Sequence, residues 1–341
     1  MSESTSTDMT IKPTLLPPNG VRRFYKGGPA IAALRGAPPP GPDTREPEDW
    51  VGSTTEAFGE PGVGLSALAD GRLLRAVIGD DPEAWLGAAH VARWGSDPAL
   101  LVKLLDAGER LPVHVHPDGP FAREHLGTRF GKTEAWVVVG GAGVVHLGWK
   151  RDVGIDQLRA WVDAQDAEAM LNALHPLELA VGDAVFVPAG VPHAIGAGLL
   201  IAELQEPSDM SVMLEWDGHG IAGEDEATLR LGWETALACV ETTARDASQL
   251  RGPRGERRAL PPAADAYFRA DWLRGGDELP QGFTVLLVLE GAGRLESADG
   301  TALAVARGDN VVSPDAAGVS RLTGEVAALA CRPADPTEER A

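Results

Sequence analysis

Residues 111–143 read LPVHVHPDGPFAREHLGTRFGKTEAWVVVGGAG and hold three of the chain's eight histidines, with a Gly-Lys-Thr-Glu just before an apolar run. Side chains of a β-strand alternate between its two faces, so His114 and His116, two apart, project side by side from one face. Paired imidazoles on one face suggest a metal; the alternative is a solvated strand edge with two unrelated histidines. Similar apolar runs recur as WVVVGGAGVVHLGW, LELAVGDAVFVPAG, GLLIAEL and FTVLLVLEGAG, punctuated by the chain's 41 glycines and 26 prolines. That spacing predicts a barrel or sandwich of short strands.

Two stretches break the strand pattern. In IDQLRAWVDAQDAEAMLNALH, Leu158, Trp161 and Val162 recur at helical spacing, as do Met170, Leu171 and Leu174. In EDEATLRLGWETALACVETTA, Leu229, Trp233, Ala236 and Val240 do the same behind an acidic first turn. Both read as amphipathic packing helices. The chain also echoes itself. GDAVFVPAGVPH at 182–193 resembles GDNVVSPDAAGV at 308–319, and EAWVVVGGAG at 134–143 lines up without a gap on TVLLVLEGAG at 284–293. The order is the same, which predicts a duplicated β-domain. Thr284 answers Glu134 and Val319 answers His193, so the second copy keeps the structural residues and loses the polar ones.

Composition sets the outer limits. The 341 residues, 44% hydrophobic and 23% charged, suit a globular protein of two domains or of one with insertions. A net charge of -20 argues against general nucleic-acid affinity, which needs clustered Lys and Arg. The one basic cluster, RGPRGERR at 251–258, reads as a linker. Cys239 and Cys331 are too few and too far apart for a disulfide framework or a cysteine-rich zinc site, so a reducing, cytoplasmic setting is expected. The polar N-terminus and the lack of any run of 18 apolar residues imply neither secretion nor membrane insertion.

Two spaced patterns carry the chemistry. From Gly108, five residues lead to His114-Val-His116, and later come Glu134, six residues and Gly141; then Gly182, five residues, Pro188-Ala-Gly190, two residues and His193. Three imidazoles and a carboxylate suit Zn, Mn, Fe, Co or Ni rather than Ca or Mg, which favour oxygen shells. His90, His146, His175 and His219 lack such spacing and read as ordinary histidines. The two patterns resemble the paired motifs of the cupin family, small β-barrels that hold a divalent metal, except that 17 residues separate His116 from Glu134. The insertion PDGPFAREHLGTRFGKT is expected to form part of the site's rim. The resemblance implies a mainly β, two-cupin architecture, a duplicated β-barrel or jelly roll with helical insertions and a degenerate second cupin. The expected division is a disordered tail at 1–12, a metal-binding catalytic cupin at 13–220 with a helical insertion at about 154–175, a helix and basic linker at 221–258, a structural cupin at 259–333 and a tail at 334–341.

PALLVKLLDAGERLPVHVHPD, GKTE and VFVPAGVPHAIGAGLLIAELQEPSD together resemble the class I, zinc-dependent mannose-6-phosphate isomerases, over most of the chain. YKGG at 25–28 stands where that family shows Trp-Gly-Gly. The resemblance implies His114 (usually Gln there), His116, Glu134 and His193 as metal ligands, with Lys103 and Lys132 lining the substrate pocket. It further implies a proton moved between C1 and C2 of a hexose phosphate through an enediol, Lys132 and Glu203 being the catalytic candidates. Glu203 has the alternative role of buttressing a metal ligand. One departure matters: Met213 replaces the family's arginine after Gln-x-Pro-Ser-Asp, leaving Arg123 or Arg129 to compensate. Three alternatives follow from that loss and from the ligand set: an isomerase of another, unphosphorylated sugar, a Mn or Fe oxidase or dioxygenase, and a sugar-binding cupin without catalysis. The partner in each is a small sugar or sugar phosphate, with no nucleic acid and no membrane, and the protein is expected as monomer or homodimer.

Overall fold

Gly141 and Gly291, which coincide when the two echoing segments are aligned, both take a left-handed backbone, with φ of 70° and 68°, in the computed structural model, which describes residues 11–338. A Cβ on Gly141 would lie 2.0 Å from the Gly198 carbonyl oxygen, and one on Gly291 would lie 1.8 Å from that of Glu325. Only glycine accepts both the positive φ and so close a backbone. The two long strands, Glu134–Trp149 and Thr284–Glu296, therefore bend at the same point, where the pairing register skips Val139 in one and Leu289 in the other. The second echo is just as literal. The Asp183 carboxylate accepts the Ala180 N–H at 2.9 Å and the Asp309 carboxylate accepts the Ala306 N–H at 2.8 Å. Each turn feeds a four-residue buried strand, Ala184–Val187 or Asn310–Ser313. Gly141→Ala and Gly291→Ala should each lower stability by at least about 2 kcal/mol in urea unfolding, because neither clash can be relieved by a side chain moving.

These repeats organise two curled antiparallel sheets. The first has ten strands, running from Gly20–Val21 through Glu48–Val51, Leu101–Asp106 and Leu199–Gln205 to the long strand Glu134–Trp149, then His193–Ile195, His114–Val115 and Val212–Met213. The second has seven, with Ser320–Pro333 paired along the length of Thr284–Glu296. Thr14–Leu16 pairs with Asn310–Ser313 in the second sheet, although its place in the chain groups it with the first. Leu286, Val288, Leu295, Val311 and Leu322 fill the second barrel with hydrocarbon. There Thr284 is buried and Val319 is 48% exposed, so a hydroxyl and an outward-facing methyl pair stand where the first barrel has the carboxylate of Glu134 and the imidazole of His193.

Neither expected long helix is continuous. The first is two helices, Ile155–Ala164 and Ala167–Ala173, parted by Gln165 at φ 49° and restarted by Asp166, whose side chain caps the Ala169 N–H. The second is broken into Glu224–Ala227 and Gly232–Ala236 by Leu229, Arg230 and Gly232, all at positive φ. Apolar spacing saw the buried face of each and not the left-handed residues that interrupt it. The basic segment at 251–258 touches both sheets: Arg254 pairs with Asp183 at 3.3 Å and Arg257 donates to the Glu278 carbonyl at 2.6 Å. Of the two expected tails, residues 1–10 and 339–341 lie outside the described residues; Ala334 is buried, and Arg93 donates to the carbonyls of Asp335 and Pro336. Among the described residues no helix is long and apolar enough to cross a membrane.

Candidate functional site

Strand pairing brings the histidines together. His114 lies directly across from His193 on one neighbouring strand and from Met213 on the other. His116 follows two residues on, and the ring centroids of the three histidines are 4.2 to 5.0 Å apart. Each Nδ1 meets a backbone carbonyl: Pro112 for His114 at 2.8 Å, Met210 for His116 at 2.9 Å and Val191 for His193 at 2.8 Å. A carbonyl only accepts, so each Nδ1 carries the proton and each Nε2 is a bare lone pair. One nitrogen from each ring falls within 4.8 Å of the others, a buried set able to hold a metal ion.

Glu134 closes the cluster. Its Oε1 accepts from Trp136 Nε1 at 3.1 Å and lies 3.3 Å from His193 Nε2, while its Oε2 is 3.3 Å from His116 Nε2. Glu134 Oε2 and His193 Nε2 are buried without a hydrogen-bond partner. Lone pairs facing one another at such distances repel unless a cation lies among them, which is what a metal site requires. The Lys132 ammonium supplies one positive charge at the edge, 3.1 Å from His116 Nε2 and 3.3 Å from Glu134 Oε2. Burial, then the neighbouring imidazoles, pushes His114 well below its ordinary range; burial and the Lys132 charge push His116 down to about 3. Burial alone would raise the Glu134 carboxyl, but the Lys132 ammonium outweighs it and holds it well below the usual range. The cluster is thus ready to bind at neutral pH, with imidazoles neutral and carboxylate charged.

A second group of charges lies one strand away. Glu203 pairs across the sheet with Lys103 and with Trp136, and its Oε1 is another buried acceptor without a partner, 3.8 Å from Lys103 Nζ and 4.0 Å from Lys132 Nζ. Burial, then the Glu134 charge, raises its carboxyl to about 7. Lys103, only 2% exposed, also meets Asp209 at 3.2 Å and Glu48 at 3.5 Å, with Trp50 beneath it at 4.5 Å. Arg23 bridges the same two acids, at 2.8 Å to Asp209 and 3.0 Å to Glu48. Tyr25 donates its hydroxyl to Glu48 at 2.7 Å. Against a burial that would raise it, Arg23 and Lys103 bring Glu48 down to about 2.

Both groups open into one cavity of about 1200 Å³. His114, Lys132, Glu134, Lys103 and Glu203 line it, as do Arg23, Tyr25, Glu48 and Asp209, which spacing did not single out. Tyr25 and Asp209 lay within the quoted YKGG and Gln-x-Pro-Ser-Asp segments, whereas nothing in the spacing pointed to Arg23 or Glu48. Gly27 of that motif is required because a Cβ there would lie 1.9 Å from the Asp106 carbonyl oxygen. Met213 lines the cavity, whereas Arg123 and Arg129 do not. Arg129 instead donates to the Arg93 and Trp94 carbonyls, and Phe130 packs with Trp94 and Ala334, so the insertion caps a different surface. The rim is built instead from Arg22, from Phe58–Glu60 and from the broken helix around Ile221 and Arg230. His90, His146, His175 and His219 stay outside the histidine cluster; three of them bond Asp97, Arg245 or Glu215.

No protein-family model matches the chain. Over 113 residues it is 40% identical to mannose-6-phosphate isomerase of Streptococcus mutans, 32% of this chain and 34% of that protein. Over 116 residues it is 31% identical to mannose-6-phosphate isomerase ManA of Bacillus subtilis, 34% of this chain and 36% of the relative. The matched segments thus span about a third of these curated relatives. The fold likeness is nearly complete. The crystal structure of the Bacillus subtilis mannose 6-phosphate isomerase superposes with a TM-score of 0.73 over 94% of this chain and 99% of that one, at 22% identity. A mutant of phosphomannose isomerase from Salmonella typhimurium gives 0.72 over 94% and 99%, at 16% identity. In fold along almost its whole length, and in sequence along part of it, the chain is similar to mannose-6-phosphate isomerases.

Proposed function

We propose that the protein is a metal-dependent aldose-ketose isomerase that interconverts mannose 6-phosphate and fructose 6-phosphate through an enediol. The observation that carries this reading is the pairing of a buried three-histidine cluster, which meets the cavity through His114, with the Glu203 carboxyl in the same cavity, whose Oε1 accepts no hydrogen bond and whose pKa is raised to about 7. His114, His116, His193 and Glu134 are the residues to hold one divalent ion, zinc by the chemistry of the donor set, with Mn, Fe, Co or Ni as possible substitutes. When bound, that ion supplies Lewis-acid stabilisation of negative charge developing on the sugar oxygens.

The remaining work falls to the chain's own residues. Glu203 takes the proton from C2 of the aldose and returns it at C1, a task suited to a carboxyl poised near neutrality. Lys132 and Lys103 flank it from two sides, orienting sugar hydroxyls and restraining the carboxylate once it is charged. Asp209 and Glu48 keep Lys103 protonated, its pKa raised although burial alone would lower it. A cytoplasmic setting suits the two free cysteines, of which Cys331 is fully buried.

The test is conversion of mannose 6-phosphate to fructose 6-phosphate by the purified protein before and after chelation. Turnover should disappear with chelator and return with zinc. Failure of metal-loaded protein to convert mannose 6-phosphate would refute the reading and favour another sugar.

A further inference from the structure

Met213 lines the cavity and brings no charge, so an anionic substrate needs a cation from elsewhere. Among the described residues the cavity offers five: Arg22, Arg23, Lys103, Lys132 and Arg230. Arg23 and Lys103 are both committed to Glu48 and Asp209, and Lys132 to Glu134. Arg22 reaches Glu46 at 3.9 Å from a side chain that is 76% exposed. Arg230 alone of the five has no carboxylate oxygen within 4.0 Å, even though Asp225 and Glu226 share its turn. Glu226 is turned instead to the Ala222 N–H, at 2.8 Å.

The backbone beneath Arg230 is unusual. Leu229 and Arg230 are consecutive and both left-handed, at φ 55° and 64°. L-residues adopt that region at a cost, and two in succession persist only where the surroundings over-determine them. Here they do. The Arg230 N–H donates to the Asp225 carbonyl at 2.7 Å, Thr228 Oγ1 donates to the Glu224 carbonyl at 2.7 Å, and Leu229 is buried. Glycine or asparagine would sit in this turn with less strain, so an arginine there is not explained by the turn itself.

We propose that Arg230 is the phosphate anchor of this chain: it grips the phosphate monoester of the substrate at the cavity mouth while the reacting end of the sugar lies at the histidines. The left-handed turn holds the guanidinium on the rim, free of ion pairs and open to a fork of two hydrogen bonds. The substrate named here rests on the isomerase reading, but the anion site itself does not. Charge bookkeeping inside the cavity supports the placement, since an interior phosphate would have to displace a carboxylate from Arg23 or Lys103.

The experiment uses the full-length, zinc-loaded protein with Arg230→Gln and Arg230→Gly. The KM for mannose 6-phosphate and the inhibition constant of inorganic phosphate should each rise about tenfold or more, with kcat within about twofold. Turnover of unphosphorylated mannose should not change. Arg230→Gly should also melt no lower than the parent, because it relieves the turn, separating loss of phosphate affinity from loss of fold. Unchanged KM and phosphate inhibition, or a fall in kcat alone, would overturn the assignment. If the parent does not isomerise mannose 6-phosphate, calorimetric titration with inorganic phosphate decides. Binding that Arg230→Gln abolishes upholds the anion site without the isomerase, and no binding by the parent removes it.

Discussion

Glu203→Gln is expected to lose nearly all turnover and yet to give a more stable protein at alkaline pH. Removing a general base costs about 10²- to 10⁴-fold in kcat, and the amide keeps the size of the side chain while surrendering the proton-transfer step. The stability change follows from the same carboxyl. Its ordinary value is 4.5 and its value in the fold is about 7, so the folded protein holds this proton more tightly than the unfolded chain does. That contribution is fully present below pH 4.5 and is lost as pH rises through about 7. Above pH 7 the parent therefore carries a penalty on the order of 3 kcal/mol that glutamine does not. Thermal melts of the metal-free proteins at pH 5 and pH 8 should diverge only at pH 8. The parent's kcat/KM should climb across the same interval, because the base must first give up its proton. Full activity in Glu203→Gln would move the proton transfer to another group.

His193→Ala carries the other large effect. The imidazole lies at the crossing of His114, Glu134 and Trp136, and it is fully buried. Its removal takes one of three converging nitrogens and leaves Glu134 Oε1 with Trp136 alone. Bound metal should fall from one equivalent to a small fraction in elemental analysis, and activity should fall by ~10³-fold or more, as expected when a metal's stabilisation of developing charge is lost. The sheets should survive, because the strand His193–Ile195 is paired on both sides through its backbone. Val319→Ala, at the matching exposed position of the second barrel, is the control and should change neither readout. A variant at His193 that kept its metal and its rate would remove the histidine cluster from the chemistry.

The legible parts of the molecule are those whose geometry is local. A strand's two-residue period put His114 and His116 on one face, and glycines at fixed offsets disclosed the duplication, since Gly141 and Gly291 make the same impossible demand on any other residue. The turn after Gly182 delivered His193 to the first barrel for the same reason. What escaped the sequence is what distant segments assemble. Arg23, Tyr25, Glu48 and Asp209 come from three separate stretches, only Glu48 on a strand, and meet only because the folded chain brings the loops after Val21 and Gln205 against it. Arg123 and Arg129 lay near the ligands in sequence, yet the insertion folds onto Trp94 and away from the cavity. The interruption at Leu229 and Arg230 was hidden because apolar spacing reports which side chains are buried and is silent about the sign of φ.

The pairing of Thr14–Leu16 with Asn310–Ser313 sets a schedule for the nascent chain. Thr14–Leu16 leaves the ribosome well before its partner strand, which follows roughly 15 to 60 s later at ordinary elongation rates. Throughout that interval the segment waits for its partner while the barrel that carries the histidine cluster is made. The second sheet cannot be completed until the earlier-made strand swings back to join the later one. Birth order and final neighbourhood are thus reversed at this edge, and a chaperone or a stray strand has its best opportunity there.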